Sequence, residues 1–226
     1  MGLQNLFFKL KLPFDSPKAL ELTKLIQEKI YYFALSASAE LAEKNGPHET
    51  FSSTYAHDGK LQFDLWGAQT SDPEMWEKLK QKIKKTGLRN SLLIAIAPTA
   101  TIASITGAYE CIEPQISNLF KRETLSGEFL QINPSLVQEL RKLNLWTQEI
   151  KDKIKHSEGS VQAIKEIPDS LKLIYRNVWE IPQKALLDMA AARGPFIDQS
   201  QSLNLFLENP NIGKLSSMYL FSTASR

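Results

Sequence analysis

The chain has 226 residues, 42% of them hydrophobic and 23% charged. That balance suits one large or two small globular domains and excludes an intrinsically disordered chain. Its 27 Lys and Arg stand against 25 Asp and Glu, a formal net charge of +2, too even to indicate nucleic acid or a membrane surface as a partner. The single cysteine, Cys111, excludes an internal disulfide, a cysteine-built zinc site and dithiol redox chemistry within the chain.

The first nine residues, MGLQNLFFK, carry no basic stretch ahead of a long apolar run, so they do not read as a signal peptide. Leu6 stands where an N-myristoylation pattern needs Ser or Thr. The longest apolar run, residues 92–98, is far short of the roughly 18 residues of a membrane span. A soluble cytoplasmic protein is the expectation.

In chain order, residues 17–44 read as a helix capped by Ser16, with Pro17 at its first position. Its apolar stripe is expected at Leu22, Leu25, Ile26, Phe33, Ala37 and Leu41, and Asn45-Gly46-Pro47 stops it. Residues 47–70 read as loop with a short strand at 61–65. A second helix spans 72–85, opened by a capping box between Ser71 and Glu74, with Trp76, Leu79 and Ile83 on one face and Gly87 ending it. Residues 91–97, SLLIAIA, read as a strand buried on both faces, and the small hydroxyl-bearing turn Pro98-Thr99-Ala100-Thr101-Ile102-Ala103 follows at once. From Asn133 the chain is mostly helical. Helices start at Asn133-Pro134, after Trp146, at Pro168 and at Pro182, the last stopped by Arg193-Gly194-Pro195. Residues 196–207 alternate toward their end and read as a strand, and a final helix begins near Asn211.

The segment 92–103 is the most informative chemically. Backbone amides in a turn of small residues, followed by a helix start, can hold an anion, and Thr99 and Thr101 add hydroxyls. It has neither a Walker lysine nor a Gly-x-Gly pattern, so an ordinary buried strand entering an ordinary turn is the competing reading. The histidines His48, His57 and His156 show no metal-ligand spacing; His57-Asp58 reads as exposed loop, and His156 suits a helix C-terminus. Cys111, between Glu110 and Ile112, reads as a packed small side chain, since neighbouring carboxylates disfavour a thiolate. Lys78, Lys80, Lys82, Lys84 and Lys85 read as the solvated side of a helix rather than a nucleic-acid surface.

Four segments together resemble the large, catalytic subunit of class I ribonucleotide reductase. They are Lys11-Leu12-Pro13-Phe14-Asp15-Ser16-Pro17; Gly87-Leu88-Arg89-Asn90-Ser91-Leu92-Leu93 leading into Ala97-Pro98-Thr99-Ala100-Thr101-Ile102; Glu110-Cys111-Ile112-Glu113-Pro114 with Leu125-Ser126-Gly127-Glu128-Phe129 and Asn133-Pro134; and Phe196-Ile197-Asp198-Gln199-Ser200-Gln201-Ser202-Leu203-Asn204. They occur in the family's order and at about its spacing.

The resemblance implies a helix-rich α/β fold, a partial ten-stranded α/β barrel of the ribonucleotide reductase large-subunit type. Residues 1–226 would form a single domain from the C-terminal part of that barrel, with 221–226 a divergent or truncated tail. It implies that the turn holds the substrate's diphosphate through Thr99, Ala100, Thr101 and Ile102; Ile102 stands where some relatives carry a second hydroxyl. It implies a ribonucleoside diphosphate as ligand. The implied protein partners are the small subunit, which would hold the radical cofactor, and either the missing N-terminal half or a full-length large subunit. No cofactor is implied in this chain. The family's radical and electron-supplying cysteines lie N-terminal to the matched region, and the two adjacent radical-transfer tyrosines, expected after the last helix, are not found: after Ser217-Met218-Tyr219-Leu220 the chain reads Phe221-Ser222-Thr223-Ala224-Ser225-Arg226, and Tyr219 stands alone. No catalytic residue is therefore assigned, and the chain alone is expected to be inactive. A non-catalytic remnant that pairs with a full-length subunit is the alternative.

Overall fold

The computed structural model describes residues 1–124 and 127–224. In chain order these form α1 (Leu3–Leu10), α2 (Pro17–Asn45), α3 (Gln62–Leu65), α4 (Pro73–Thr86), α5 (Ala100–Thr106), β1 (Leu119–Thr124), β2 (Gly127–Ile132), α6 (Pro134–Lys142), α7 (Gln148–His156), α8 (Asp169–Ile174), α9 (Gln183–Arg193) and α10 (Ile212–Ala224). The chain is helix-rich with a small sheet and divides into two compact units. One comprises Met1–Ala19, Thr99–Leu186 and Asn204–Ser216, and the other Leu20–Pro98, Leu187–Leu203 and the residues from Ser217. Among the described residues no helix is long and apolar enough to cross a membrane.

In the first unit, Leu136 and Leu140 lie one turn apart on α6 and are fully buried with Ile150 and Ile154 of α7, Val161, Ile167 and Phe8. Each fully buried aliphatic side chain contributes about 1.5–3 kcal/mol. Asn133 caps α6 by accepting from Ser135 N, and Pro134 occupies a first-turn position whose N–H would have no intrahelical acceptor. Phe8 stacks on Tyr175 at 5.0 Å. Beside this apolar core lies a buried amide network. Asn118 Nδ2 donates to Tyr175 O (2.7 Å) and Gly159 O (3.0 Å), while its Oδ1 accepts from Gln115 Nε2 (2.7 Å) and Asn133 Nδ2 (3.0 Å). Each polar group of Asn118 is thereby paired, as burial requires. The antiparallel hairpin of β1 and β2, in register from Leu119↔Ile132 to Thr124↔Gly127, is absent from the sequence reading. Leu125 and Ser126 of the matching segment lie outside the described residues.

In the second unit the core gathers Tyr31, Leu35, Phe63, Trp76, Leu79, Ile83, Leu88 and Phe196. Helix α2 matches its predicted extent, and Ser16 Oγ caps it by accepting from Ala19 N. Its buried face, however, is the opposite one. Ala19, Thr23, Gln27, Tyr31, Leu35, Ala39 and Ala42 are buried, whereas Leu25, Phe33 and Leu41 are exposed. Polar residues tolerate this interior because they are paired: Gln27 Nε2 donates to Phe196 O (3.1 Å), and Glu28 Oε1 accepts from Ser71 N, Ser71 Oγ and Trp76 Nε1 at 2.8–2.9 Å. The same contacts correct the second cap. Ser71 is committed to Glu28, and Asp72 caps α4 by accepting from Met75 N. Trp76, Leu79 and Ile83 are buried, and Gly87 ends the helix at φ 76°. Residues 62–65 are helical rather than extended, because the Asp64 carboxylate accepts from Leu61 N (2.8 Å) and closes a turn.

The expected strands at 91–97 and 196–207 meet only over a short parallel bridge between Ile96 and Gln201. Leu92 is 54% exposed, so the first is not buried on both faces. Among the described residues it is paired on one side only, and Phe196 belongs to a 3-10 turn, Gly194–Phe196.

Candidate functional site

The candidate site follows the parallel bridge. Ile96 N donates to Ser200 O (3.0 Å) and Ile96 O accepts from Ser202 N (2.8 Å), the slanted pattern of a parallel ladder. The Asp198 carboxylate fastens the start by accepting from Leu93 N (2.9 Å) and Ile94 N (2.7 Å). Thr99 and Asn204 follow three residues after Ile96 and Gln201 in the chain and belong to the other compact unit.

Thr99 is the N-cap of α5 and holds a left-handed conformation (φ 56°, ψ 24°), which costs a non-glycine residue about 1–2 kcal/mol. Two contacts hold it there: its carbonyl accepts from Ala103 N (2.9 Å), and its Oγ1 accepts from Cys111 N (3.0 Å). Ala100, Thr101 and Ile102 form the first turn and are exposed. First-turn N–H groups have no acceptor inside their own helix and carry the positive end of its dipole. Residues 98–113 contain no Lys or Arg, so the donors this segment itself offers an anion are neutral N–H and O–H groups. The turn is therefore a helix start, as the anion-holding reading requires, and the Thr99 hydroxyl already has one internal partner.

Cys111 is buried (3% exposed) at φ 48°, as expected of a packed side chain. Two residues on, the buried Glu113 carboxylate accepts from Asn204 N (2.8 Å) and Asn204 Nδ2 (3.0 Å to each oxygen). Two segments quoted for the family resemblance thus meet, although no role was assigned to either residue. Nearby, burial pushes the Tyr109 phenol up, and its hydroxyl donates to Gln115 Oε1 (3.0 Å).

The other candidates stay apart. His57 and Asp58 are exposed and pair with each other at 3.3 Å. His156 lies in the last turn of α7. Lys78, Lys80 and Lys82 pair with Glu74, Asp64 and Glu40. Tyr219 is 70% exposed on α10. No group of three or more His, Cys, Asp or Glu able to hold a metal occurs among the described residues.

The sequence profile of the ribonucleotide reductase barrel domain matches residues 1–224. The chain is 48% identical to the ribonucleoside-diphosphate reductase large chain of Schizosaccharomyces pombe over 97% of its own length and 27% of that protein's. It is 50% identical to the large subunit of Vaccinia virus, covering 97% of this chain and 28% of that one. Among solved structures it is similar to the Actinobacillus ureae class Id ribonucleotide reductase alpha subunit, with TM-score 0.74 and 28% identity, over 100% of this chain and 36% of that one. The chain spans 27–28% of the length of these two curated relatives. By the profile match and these identities, the chain belongs to the ribonucleotide reductase barrel-domain family.

Proposed function

We propose that this chain supplies the C-terminal portion of the ten-stranded barrel of a ribonucleoside-diphosphate reductase large subunit. Within it, Thr99, Ala100, Thr101 and Ile102 hold the substrate diphosphate, through the first-turn amides and the two threonine hydroxyls. The observation that carries this reading is the profile match over residues 1–224, joined to an exposed helix start at Ala100, Thr101 and Ile102. The substrate class is a ribonucleoside diphosphate, and the reaction is replacement of its ribose 2′-hydroxyl by hydrogen in the cytoplasm.

With one cysteine in 226 residues, the chain cannot itself provide a thiyl-forming cysteine and a separate reducing pair. Turnover then depends on large-subunit sequence that carries those cysteines, and on a small subunit that holds the radical cofactor. The chain's own share of the work is to bind and orient the diphosphate.

The test is reconstitution: this chain is combined with a cysteine-bearing N-terminal half and a small subunit, and deoxynucleotide formation from a ribonucleoside diphosphate is measured. Turnover that requires this chain supports the reading. Turnover no higher than in its absence overturns it.

A further inference from the structure

The apolar stripe that the sequence places on α2 exists, but it faces away from the core. Leu25, Phe33, Ala37 and Leu41 are exposed, and Leu22 and Ile26 are half-buried. Ile30, also exposed, fills the gap between Ile26 and Phe33. The stripe from Leu22 to Leu41 lies within the second unit, and neither the core nor the diphosphate turn uses it. Phe33 is 65% exposed, yet its ring is held. It meets Tyr32 edge-on at 5.3 Å, and Tyr32 meets the buried Trp76 edge-on at 5.2 Å. A side chain already held loses little freedom when it is covered.

The apolar residues are mirrored about the midpoint between Tyr31 and Tyr32. Ile30 and Phe33, Ile26 and Ala37, and Leu22 and Leu41 stand equally far on either side of it. A twofold dimer requires this arrangement, because residue i of one copy must meet j of the other while j meets i. Two α2 helices laid antiparallel across that midpoint set an apolar residue opposite an apolar residue at each of these positions. The charges favour the same direction. Apart from the buried Glu28, residues 20–29 carry Lys24 and Lys29 against Glu21, and residues 36–45 carry Glu40 and Glu43 against Lys44. Antiparallel order therefore sets a basic half on an acidic half and opposes the two helix dipoles. Glu40 already holds Lys82 of its own chain at 3.3 Å, so the mirrored apolar residues carry the pairing and the charges set its direction.

The stripe is about 30 Å long and about 10 Å wide, on the order of 300 Å². That is the size of a functional surface patch but short of the roughly 800 Å² per partner of a standard interface, so the contact it makes is weak and reversible.

We propose that the outer face of α2 is a dimerisation surface whose occupant is a second copy of this chain, the two helices antiparallel and crossing at Ile30 and Phe33. The pairing leaves Thr99, Ala100, Thr101 and Ile102 out of the interface.

The experiment is sedimentation velocity of the full chain over a range of micromolar concentrations. Wild type is expected to behave as a reversible dimer. Phe33→Glu and Ile30→Lys each remove an apolar contact on both sides of the twofold axis and should each weaken the dimer at least about 10-fold. Both residues are exposed, so both variants should keep the wild-type thermal midpoint, and Phe33→Ala, which brings in no charge, should show the same direction of loss. In an equimolar mixture of Phe33→Glu with Ile30→Lys, the new carboxylate of one chain faces the new ammonium of the other, and the native Ile30–Phe33 contact returns once. The mixture should associate at least about 10-fold more tightly than either variant alone. A wild type that stays monomeric overturns the proposal. So does a dimer that Phe33→Glu and Phe33→Ala leave unchanged, and so does a pair of variants that do not rescue each other.

Discussion

The Glu113 carboxylate takes both the backbone N–H and the side-chain amide of Asn204, a residue 91 positions away, at 2.8–3.0 Å. Hydrogen bonds to a charged acceptor contribute about 1.5–3 kcal/mol each, net of water, when buried. Because Asn204 is exposed, water replaces part of that when the carboxylate is removed. Glu113→Ala is expected to lower stability by about 1–2 kcal/mol, read from the midpoint of urea unfolding. An unchanged midpoint would show that the segment after Leu203 is held by something else.

The amide network around Asn118 offers a sharper stability test. Asn118→Ala strips partners from Gln115, Asn133, Gly159 and Tyr175 at once. Unpaired buried polar groups cost about 1–3 kcal/mol each, so a loss of about 3 kcal/mol or more is expected in denaturant unfolding. A loss below about 1 kcal/mol would mean that water enters and satisfies the network.

Glu139 sets part of the acid response. Lys142 Nζ lies at 2.6 Å and Lys11 Nζ at 2.9 Å from its carboxylate, and Lys142 first, then Lys11, hold its pKa below the usual carboxylate range. A carboxylate depressed in the folded state stabilises above its unfolded value and loses that contribution as pH falls through the folded one. The stability difference between wild type and Glu139→Gln is therefore expected to be largest near neutral pH and to shrink on acidification. A difference independent of pH from 7 down to about 3 would show that the two lysines do not act on this carboxylate.

Gly159 is fixed by both conformation and space. It sits at φ 88°, and a Cβ there would meet Ser117 Oγ at 2.1 Å and Leu119 N at 2.7 Å. Gly107, at φ 66°, has nothing within 4 Å of such a Cβ. Gly159→Ala is expected to cost about 1–3 kcal/mol more than Gly107→Ala, measured by thermal unfolding of the two variants side by side. Equal costs would leave backbone strain as the whole effect.

Helix extents were legible in the sequence because caps and stops are local chemistry: Ser16-Pro17, Asn133-Pro134, Gly87 and Arg193-Gly194-Pro195 all act within one turn of the chain. Which face of α2 is buried was not, because Gln27 and Glu28 become core residues only through Phe196, Ser71 and Trp76, 43 to 169 positions distant. The turn at residues 98–103 was legible as a turn of small residues entering a helix, and it is a helix start. Its coupling to Cys111, and the meeting of Glu113 with Asn204, are contacts between distant segments of the chain. They join residues 12 and 91 positions apart, and no local pattern announces either. The hairpin of β1 and β2 escaped because its strands lack clean apolar alternation.

The central claim is that the turn holding Thr99, Ala100, Thr101 and Ile102 binds the diphosphate of a ribonucleotide. The most direct measurement is a backbone amide spectrum of the chain titrated with a ribonucleoside diphosphate to millimolar concentration. The account predicts saturable shifts centred on the amides of Ala100, Thr101 and Ile102, reproduced by pyrophosphate and weakened in Thr99→Ala. Amides at these positions that do not move, while others do or none does, would contradict it.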